Sequence, residues 1–237
     1  MRCFRGLLLL SLAALALAAA ADLAAAFAWS RYEASLTPLD LAASRKGSTI
    51  VVDRDGRLLR PFTLPDGRWR LTASTHDVDP RYLAMLVSYE DGRFTAHRGV
   101  DLRALLRAGG QWLWRGHVVS GGSTLSMQVA RLIEPRPERT LAAKLRQIFR
   151  AREIERAVGK QGVLDRYLTM APFGGNLEGV RAASLAYFGE EPLKLTIAEA
   201  ALLVALPQSP EGRRPDRFPA AARLARDRVL DLSLIHI

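Results

Sequence analysis

Glu90-Asp91-Gly92-Arg93-Phe94-Thr95-Ala96-His97-Arg98-Gly99-Val100-Asp101 is the stretch that orders the rest of the chain. Upstream, Asp79 suits an N-cap and Pro80 the first helical position, and Tyr82, Leu83, Leu86 and Val87 recur on one face. The spacing therefore predicts an amphipathic helix that ends in two adjacent carboxylates. Carboxylates there, followed by an aromatic ring and a histidine, offer a general base and a phosphate or metal contact. The same residues also suit an ordinary capped helix end, and spacing alone leaves the two readings level.

Two further clusters follow. Ser120-Gly121-Gly122-Ser123-Thr124-Leu125-Ser126-Met127-Gln128 lets the backbone turn tightly and offers Ser123 as N-cap. Free amides at the positive end of the next helix would favour a phosphate, although a plain loop-to-helix junction explains the glycines as well. Lys144–Glu155 is basic, and Lys144, Gln147, Ala151 and Glu155 share one helical stripe. That stripe could hold a diphosphate, or simply be a solvated charged face.

Around these clusters the pattern is mostly helical. Helices are expected over Asp101–Trp114, Ser123–Ile133, Leu141–Val158, Val163–Leu168, Leu177–Tyr187, Ile197–Leu206 and Ala220–Leu230. Asp55-Gly56 between apolar strands reads as a hairpin, and Pro65-Asp66-Gly67 as a further turn. Leu232-Ser-Leu-Ile-His-Ile interrupts the last helix without a cap, so residues 232–237 are expected to be a non-native tail ahead of a missing downstream domain.

The amino end sets the compartment. Arg2 and Arg5 precede the apolar runs Leu7–Ala21 and Leu23–Trp29, separated by Asp22. The first run alone fits a secretory leader with Ala19-Ala20-Ala21 as its cleavage site; the whole approaches the roughly 20 residues that span a bilayer. Trp29 and Arg31 resemble an interfacial anchor, so residues 1–29 are read as a cytoplasmic n-region and transmembrane signal anchor, with the remainder exported. Residues 30–64 form a stem and hairpin.

Of 237 residues, 49% are apolar and 24% charged, which excludes a disordered chain. The net charge is +10; Arg2 and Arg5 against Asp22 account for +1, leaving +9 beyond the anchor. Outside the cytoplasm that balance points to anionic lipid or a lipid-linked phosphate and away from nucleic acid. The single cysteine, Cys3, excludes an internal disulfide and a Cys-ligated zinc site, and His76, His97, His117 and His236 lack metal-site spacing.

Taken in order, the three clusters resemble the membrane-proximal glycosyltransferase domain of class A penicillin-binding proteins. Glu90-Asp91, Phe94, His97 and Gly99 match that family's first motif, Gly-Gly-Ser-Thr with Gln128 its second, and Lys144 the basic residue of its third. Tyr187-Phe188-Gly189 and Ala205-Leu206-Pro207-Gln208-Ser209-Pro210 match later segments. Ala171–Gly175 and Arg214–Arg217 are most like the 1C type. The likeness runs from about Arg45 to Leu230 and assigns 65–231 to the glycosyltransferase domain. It implies a mainly α, lysozyme-like fold that polymerises lipid II into glycan strands and releases undecaprenyl diphosphate, at the outer face of a bacterial inner membrane. Glu90 would be the general base and Gln147 would hold the position of a second catalytic carboxylate. Ser123, Thr124, Gln128, Arg131, Lys144 and Arg146 would serve the diphosphate, and Asp91, Phe94 and His97 would shape the cleft. The resemblance allows a divalent cation, Mg²⁺ or Mn²⁺, with Asp91 as its candidate ligand, and no organic cofactor. The partners it implies are lipid II, the growing strand, inner-membrane lipids and other wall-synthesis proteins.

Some positions depart from the family pattern. The third motif ordinarily reads Arg-Lys, two residues, Glu; here it is Ala143-Lys144-Leu145-Arg146-Gln147, and Gln147 cannot ionise. Met127 stands in place of a glutamine, and Arg131 where lysine is commoner, though an arginine binds phosphate bidentately. Asp101–Val119 corresponds to a membrane-dipping segment, with Trp112 and Trp114 at the interface and Arg103, Arg107 and Arg115 near lipid phosphates. No serine has lysine three residues later, so the chain as given lacks a transpeptidase nucleophile. Two rival readings remain: a lysozyme-like muramidase, and a catalytically weak scaffold that binds lipid II.

Overall fold

The computed structural model describes residues 2–115, 122–136 and 140–233. Two compact units divide between Leu39 and Asp40. The first is carried by α1 (Arg2–Ser35), which continues past the expected end of the anchor. Its stretch Leu12–Ser35 is long and apolar enough to cross a membrane. Those 24 residues reach about 36 Å at 1.5 Å per residue, against a hydrocarbon core of about 30 Å.

The second unit is mainly helical, as the sequence leads one to expect. It opens with the hairpin β1 (Ile50–Val52) and β2 (Leu58–Pro61), antiparallel with Val51 opposite Arg60. Asp53 Oδ1 accepts from the backbone of Asp55 and Arg57, and Gly56 takes φ +79° in the turn, a conformation that strains other residues. Among the described residues seven α-helical elements follow: α2 (Pro80–Asp91), α3 (Leu102–Arg115), α4 (Leu125–Ile133), α5 (Leu141–Met170), α6 (Val180–Phe188), α7 (Ile197–Ala205) and α8 (Pro219–Ser233). The last runs into the stretch expected to be a non-native tail; residues 234–237 lie outside the described residues.

The core forms where α4 packs on α5 and where α7 meets α2 and α8. Leu125, Met127 and Val129 of α4 and Ala151 and Ile154 of α5 are fully buried, so burying their apolar surface ties these two helices together. That pairing positions the second and third sequence clusters against each other.

The separate helices expected over 141–158 and 163–168 form as two helical stretches within α5, parted at Gly159, where φ +67° and ψ 179° are not helical. Two expectations need correction. Leu177–Tyr187 is not one helix: β4 (Leu177–Glu178) pairs in parallel with β3 (Trp69–Arg70), and α6 starts only at Val180. Glu178 there binds both Arg70 and Arg68, which anchors the short sheet. The N-cap of α4 is Thr124, not Ser123. In α3, Leu102, Leu106 and Trp114 are exposed. The side chain of Trp112 and residues 116–121, which include His117 and Ser120-Gly121, lie outside the described residues.

Candidate active site

Glu90 closes α2 half-buried and is held from two sides. Gln128 Nε2, on α4, donates to Oε2 at 2.8 Å, and Gln208 Nε2 donates to Oε1 at 2.9 Å. Gln208 is itself oriented, because its Oε1 accepts from Tyr89 Oη and Arg213 Nη1, each at 3.3 Å. Gln128, expected on the diphosphate, thus spends an amide proton on Glu90. Gln208 was visible only as part of a matched segment, and nothing local signals its place beside Glu90.

Below Glu90 lie two buried tyrosines. Tyr82 is wholly buried and Tyr167 nearly so, and their hydroxyls have no hydrogen-bond partner among the described residues. Burial pushes both phenols up, and the charge of Glu90 adds to the effect.

Asp91, Phe94 and His97, expected to shape the cleft, have buried side chains. Asp91 accepts from His97 Nε2 at 2.9 and 3.1 Å and from the Leu125 backbone N–H at 3.0 Å. A carboxylate only accepts, which assigns the ring proton to Nε2. Leu125 begins α4, whose first N–H groups have no partner within the helix, so Asp91 supplies one. Phe94 is 3% exposed, stands edge-on to the His97 ring and lies under Lys160 Nζ at 4.3 Å. Together these residues fasten the end of α2 to the start of α4.

The second and third clusters meet across α4 and α5. Thr124 Oγ1 accepts from Met127 N at 3.1 Å and donates to Gly99 O at 2.6 Å. Ser123 Oγ accepts from Lys144 Nζ at 2.6 Å. The same ammonium donates to Gln147 Oε1 at 3.1 Å, and Gln147 Nε2 donates to Met127 O at 2.7 Å. Burial lowers the Lys144 pKa, and the Arg131 charge lowers it further. The stripe seen in the sequence faces α4: Ala151 is buried, and Glu155 accepts from Ser126 Oγ at 2.6 Å.

A cleft of about 650 Å³ opens beside Lys144, lined by Arg131, Arg136, Arg146 and Arg150 as well as Gln147 and Glu134. Arg131 is exposed and has no hydrogen bond or ion pair among the described residues. Arg146, expected on the diphosphate, grips Glu134 at 2.6 Å, and Arg150 and Arg136 reach the same carboxylate at 2.9 and 3.2 Å. Arg146 above all, with Arg150 and Arg136, outweighs the burial of Glu134 and holds its pKa down to about 2. Glu134 and Arg150 were missed in the sequence, although Arg150 lies one turn beyond Arg146 on α5.

The donor set does not fit a protein-built divalent cation site. Among the described residues no group of three or more His, Cys, Asp or Glu side chains comes together, and Asp91 is committed to His97 and Leu125.

The mainly α unit thus carries a half-buried carboxylate reached by two amides and a basic cleft on α4 and α5. A family model described as Transglycosylase matches residues 55–233. Penicillin-binding protein 1C of Escherichia coli (strain K12) is 48% identical over 182 residues, covering 77% of this chain and 24% of that protein. Penicillin-binding protein 1A of Pseudomonas aeruginosa is 34% identical over 185 residues, covering 78% and 22%. Among solved structures, penicillin-binding protein 1A from Haemophilus influenzae gives a TM-score of 0.41 at 18% identity, over 78% of this chain and 18% of that one. The chain belongs to the transglycosylase family. It spans about a quarter of the length of these curated relatives.

Proposed function

We propose that this chain is a peptidoglycan glycosyltransferase that joins lipid II to a growing glycan strand. The observation that carries the reading is Glu90, held by Gln128 and Gln208, with Gln128 on α4, the helix that lends Arg131 to the basic cleft it shares with Lys144 and Arg146 of α5. Glu90 takes the proton from the acceptor sugar's 4-hydroxyl. The freed oxygen pair attacks the anomeric carbon of the strand, and the bond to undecaprenyl diphosphate breaks with inversion. The leaving oxygen's new charge falls to Lys144 and Arg131, where preorganised cations stabilise it without reorganising solvent.

The apolar helix α1 supports a single-pass arrangement with the amino end in the cytoplasm and the catalytic unit on the periplasmic side. The exposed Leu102, Leu106 and Trp114 of α3 suit contact with inner-membrane lipids, and other wall-synthesis proteins are its expected partners. A basic cleft does nothing for hydrolysis of uncharged glycan, which disfavours a muramidase. Gln147, neutral where a carboxylate is usual, favours a second reading, a lipid II-binding scaffold with weak turnover.

Detergent-solubilised protein incubated with labelled lipid II separates these readings. Polymer on a gel from the wild type, and none from Glu90→Gln, is the expected result. Binding without polymer in both proteins would replace the synthase by the scaffold.

A further inference from the structure

A second pocket, of about 280 Å³, shares no residue with the Glu90 site. It lies between the segment that opens the globular unit, the turn Thr75–Asp77 and the second half of α5. Its polar lining suits a small polar group.

Arg166 is 5% exposed, yet its partners are neutral: Nε donates to Ser44 Oγ and Nη1 to Gly162 O, each at 2.9 Å. Neither bond uses Nη2, and Arg166 has no ion pair among the described residues. Arg45 lines the same pocket, exposed and without a side-chain partner among those residues. Burial lowers the Arg166 pKa, the like charge of Arg45 lowers it further, and Asp165 pulls it the other way. A buried guanidinium beside a like charge, with no ion pair of its own among the described residues, favours an anionic group at Arg45 and Arg166.

The pocket also holds two carboxylates. Asp77 Oδ2 accepts from Ser74 N and Oγ, at 2.8 and 2.7 Å, and Asp165 Oδ1 accepts from Thr75 N at 2.9 Å. The other oxygen of each has no hydrogen bond among the described residues. A plain anion would meet these aspartates, and a plain cation would meet the arginines. A ligand carrying both charges satisfies all four groups.

We propose that this pocket binds a small zwitterion, a phosphate ester joined to a primary ammonium. The phosphate sits on Arg45 and Arg166 and the ammonium on Asp77 and Asp165. Such a group comes from a soluble phosphoamine or from a lipid headgroup. Ser44 follows the last residue of the apolar helix, Ser35, by only nine positions, which gives the lipid source its place in the test.

Calorimetry on the full chain in detergent tests the chemistry with phosphoethanolamine, inorganic phosphate and phosphocholine. Saturable binding of phosphoethanolamine is expected, with inorganic phosphate and phosphocholine each at least about tenfold weaker, since phosphate brings no cation and a quaternary ammonium no N–H donor. Arg45→Gln and Arg166→Lys each weaken it by at least about tenfold, and Arg45→Gln leaves the melting temperature unchanged. Native mass spectrometry from nanodiscs then reads the source. Retention of phosphatidylethanolamine over phosphatidylcholine assigns the lipid headgroup, and equal retention with intact phosphoethanolamine binding assigns the soluble form. Absence of phosphoethanolamine binding, equal affinity for all three probes, or binding indifferent to both arginine variants would overturn the proposal.

Discussion

Gln147 Oε1 lies 3.1 Å from Lys144 Nζ, and the other end of the same amide donates to Met127 O at 2.7 Å. An amide satisfies both neighbours, accepting from the ammonium and donating to the carbonyl. A carboxylate could accept only, and would press its charge on the Met127 oxygen. The Lys144 charge is therefore faced by a dipole and stays available to an anionic ligand. Gln147→Glu is expected to weaken pyrophosphate binding about tenfold and to raise KM for lipid II more than it changes kcat, by neutralising that charge. Calorimetry and steady-state kinetics read this directly; unchanged or tighter pyrophosphate binding contradicts it.

Gln128 and Gln208 each place an N–H on one oxygen of Glu90. A hydrogen bond to a charged group contributes about 1.5–3 kcal/mol. Gln128→Ala and Gln208→Ala should each lower kcat about tenfold or more with the melting temperature little changed, because both residues orient a carboxylate and neither fills the core. The double variant should fall short of the product of the two, since the residues act on one group. Strict multiplication of the two losses would show that they act separately.

Asp91→Asn separates a structural clamp from a metal ligand. The side chain is 4% exposed and joins His97 to the first residue of α4. Weakening those bonds costs about 2 kcal/mol, or a fall of about 4–8 °C in melting temperature for a unit of this size. Chelator should leave the wild-type melting curve where it is. A chelator shift that the variant lacks would return Asp91 to the metal.

What the sequence made legible was local or carried by order. The Asp55-Gly56 turn and the Asp79-Pro80 start of α2 depend on neighbours in the chain, and both elements form there. The order of the clusters carried the family, and the structure joins Glu90 to Gln128 of α4, and Ser123, just before α4, to Lys144 of α5, which also holds Gln147. Long-range pairing stayed hidden. Gln208 meets Glu90 across 118 positions, and Glu178 meets Arg70 across 108. Leu177-Glu178 reads equally well as helix until its partner strand is known. Asp91 and His97 misled for a related reason, since a polar residue near a motif looks accessible and burial is decided only by packing.

Gly179 tests the close approach that delays the start of the expected helix. Its φ is +86°, and a Cβ there would lie 2.6 Å from Thr169 O and 2.9 Å from Leu168 O, both backbone atoms. Neither strain can relax without moving α5. Gly179→Ala should cost about 2 kcal/mol or more, visible as a lower urea midpoint with unchanged m-value. A midpoint within error of the wild type would mean that α5 gives way there.

Glu134 should make stability acid-sensitive. Its pKa is held at about 2 against an ordinary 4.5, with Arg146 the largest cause. A depressed carboxylate adds stability that is complete above its unfolded value and drains away as pH falls from about 5 toward 2. The shift corresponds to at most about 3 kcal/mol at about 1.4 kcal/mol per pKa unit, and partial exposure of the side chain brings it nearer 2. Glu134→Gln removes the titrating group, so its stability should be lower than the wild type at pH 7 and the gap should close by pH 2. Urea midpoints across that range measure the difference. A gap that stays constant with pH would mean that the three arginines hold Glu134 without favouring its charge.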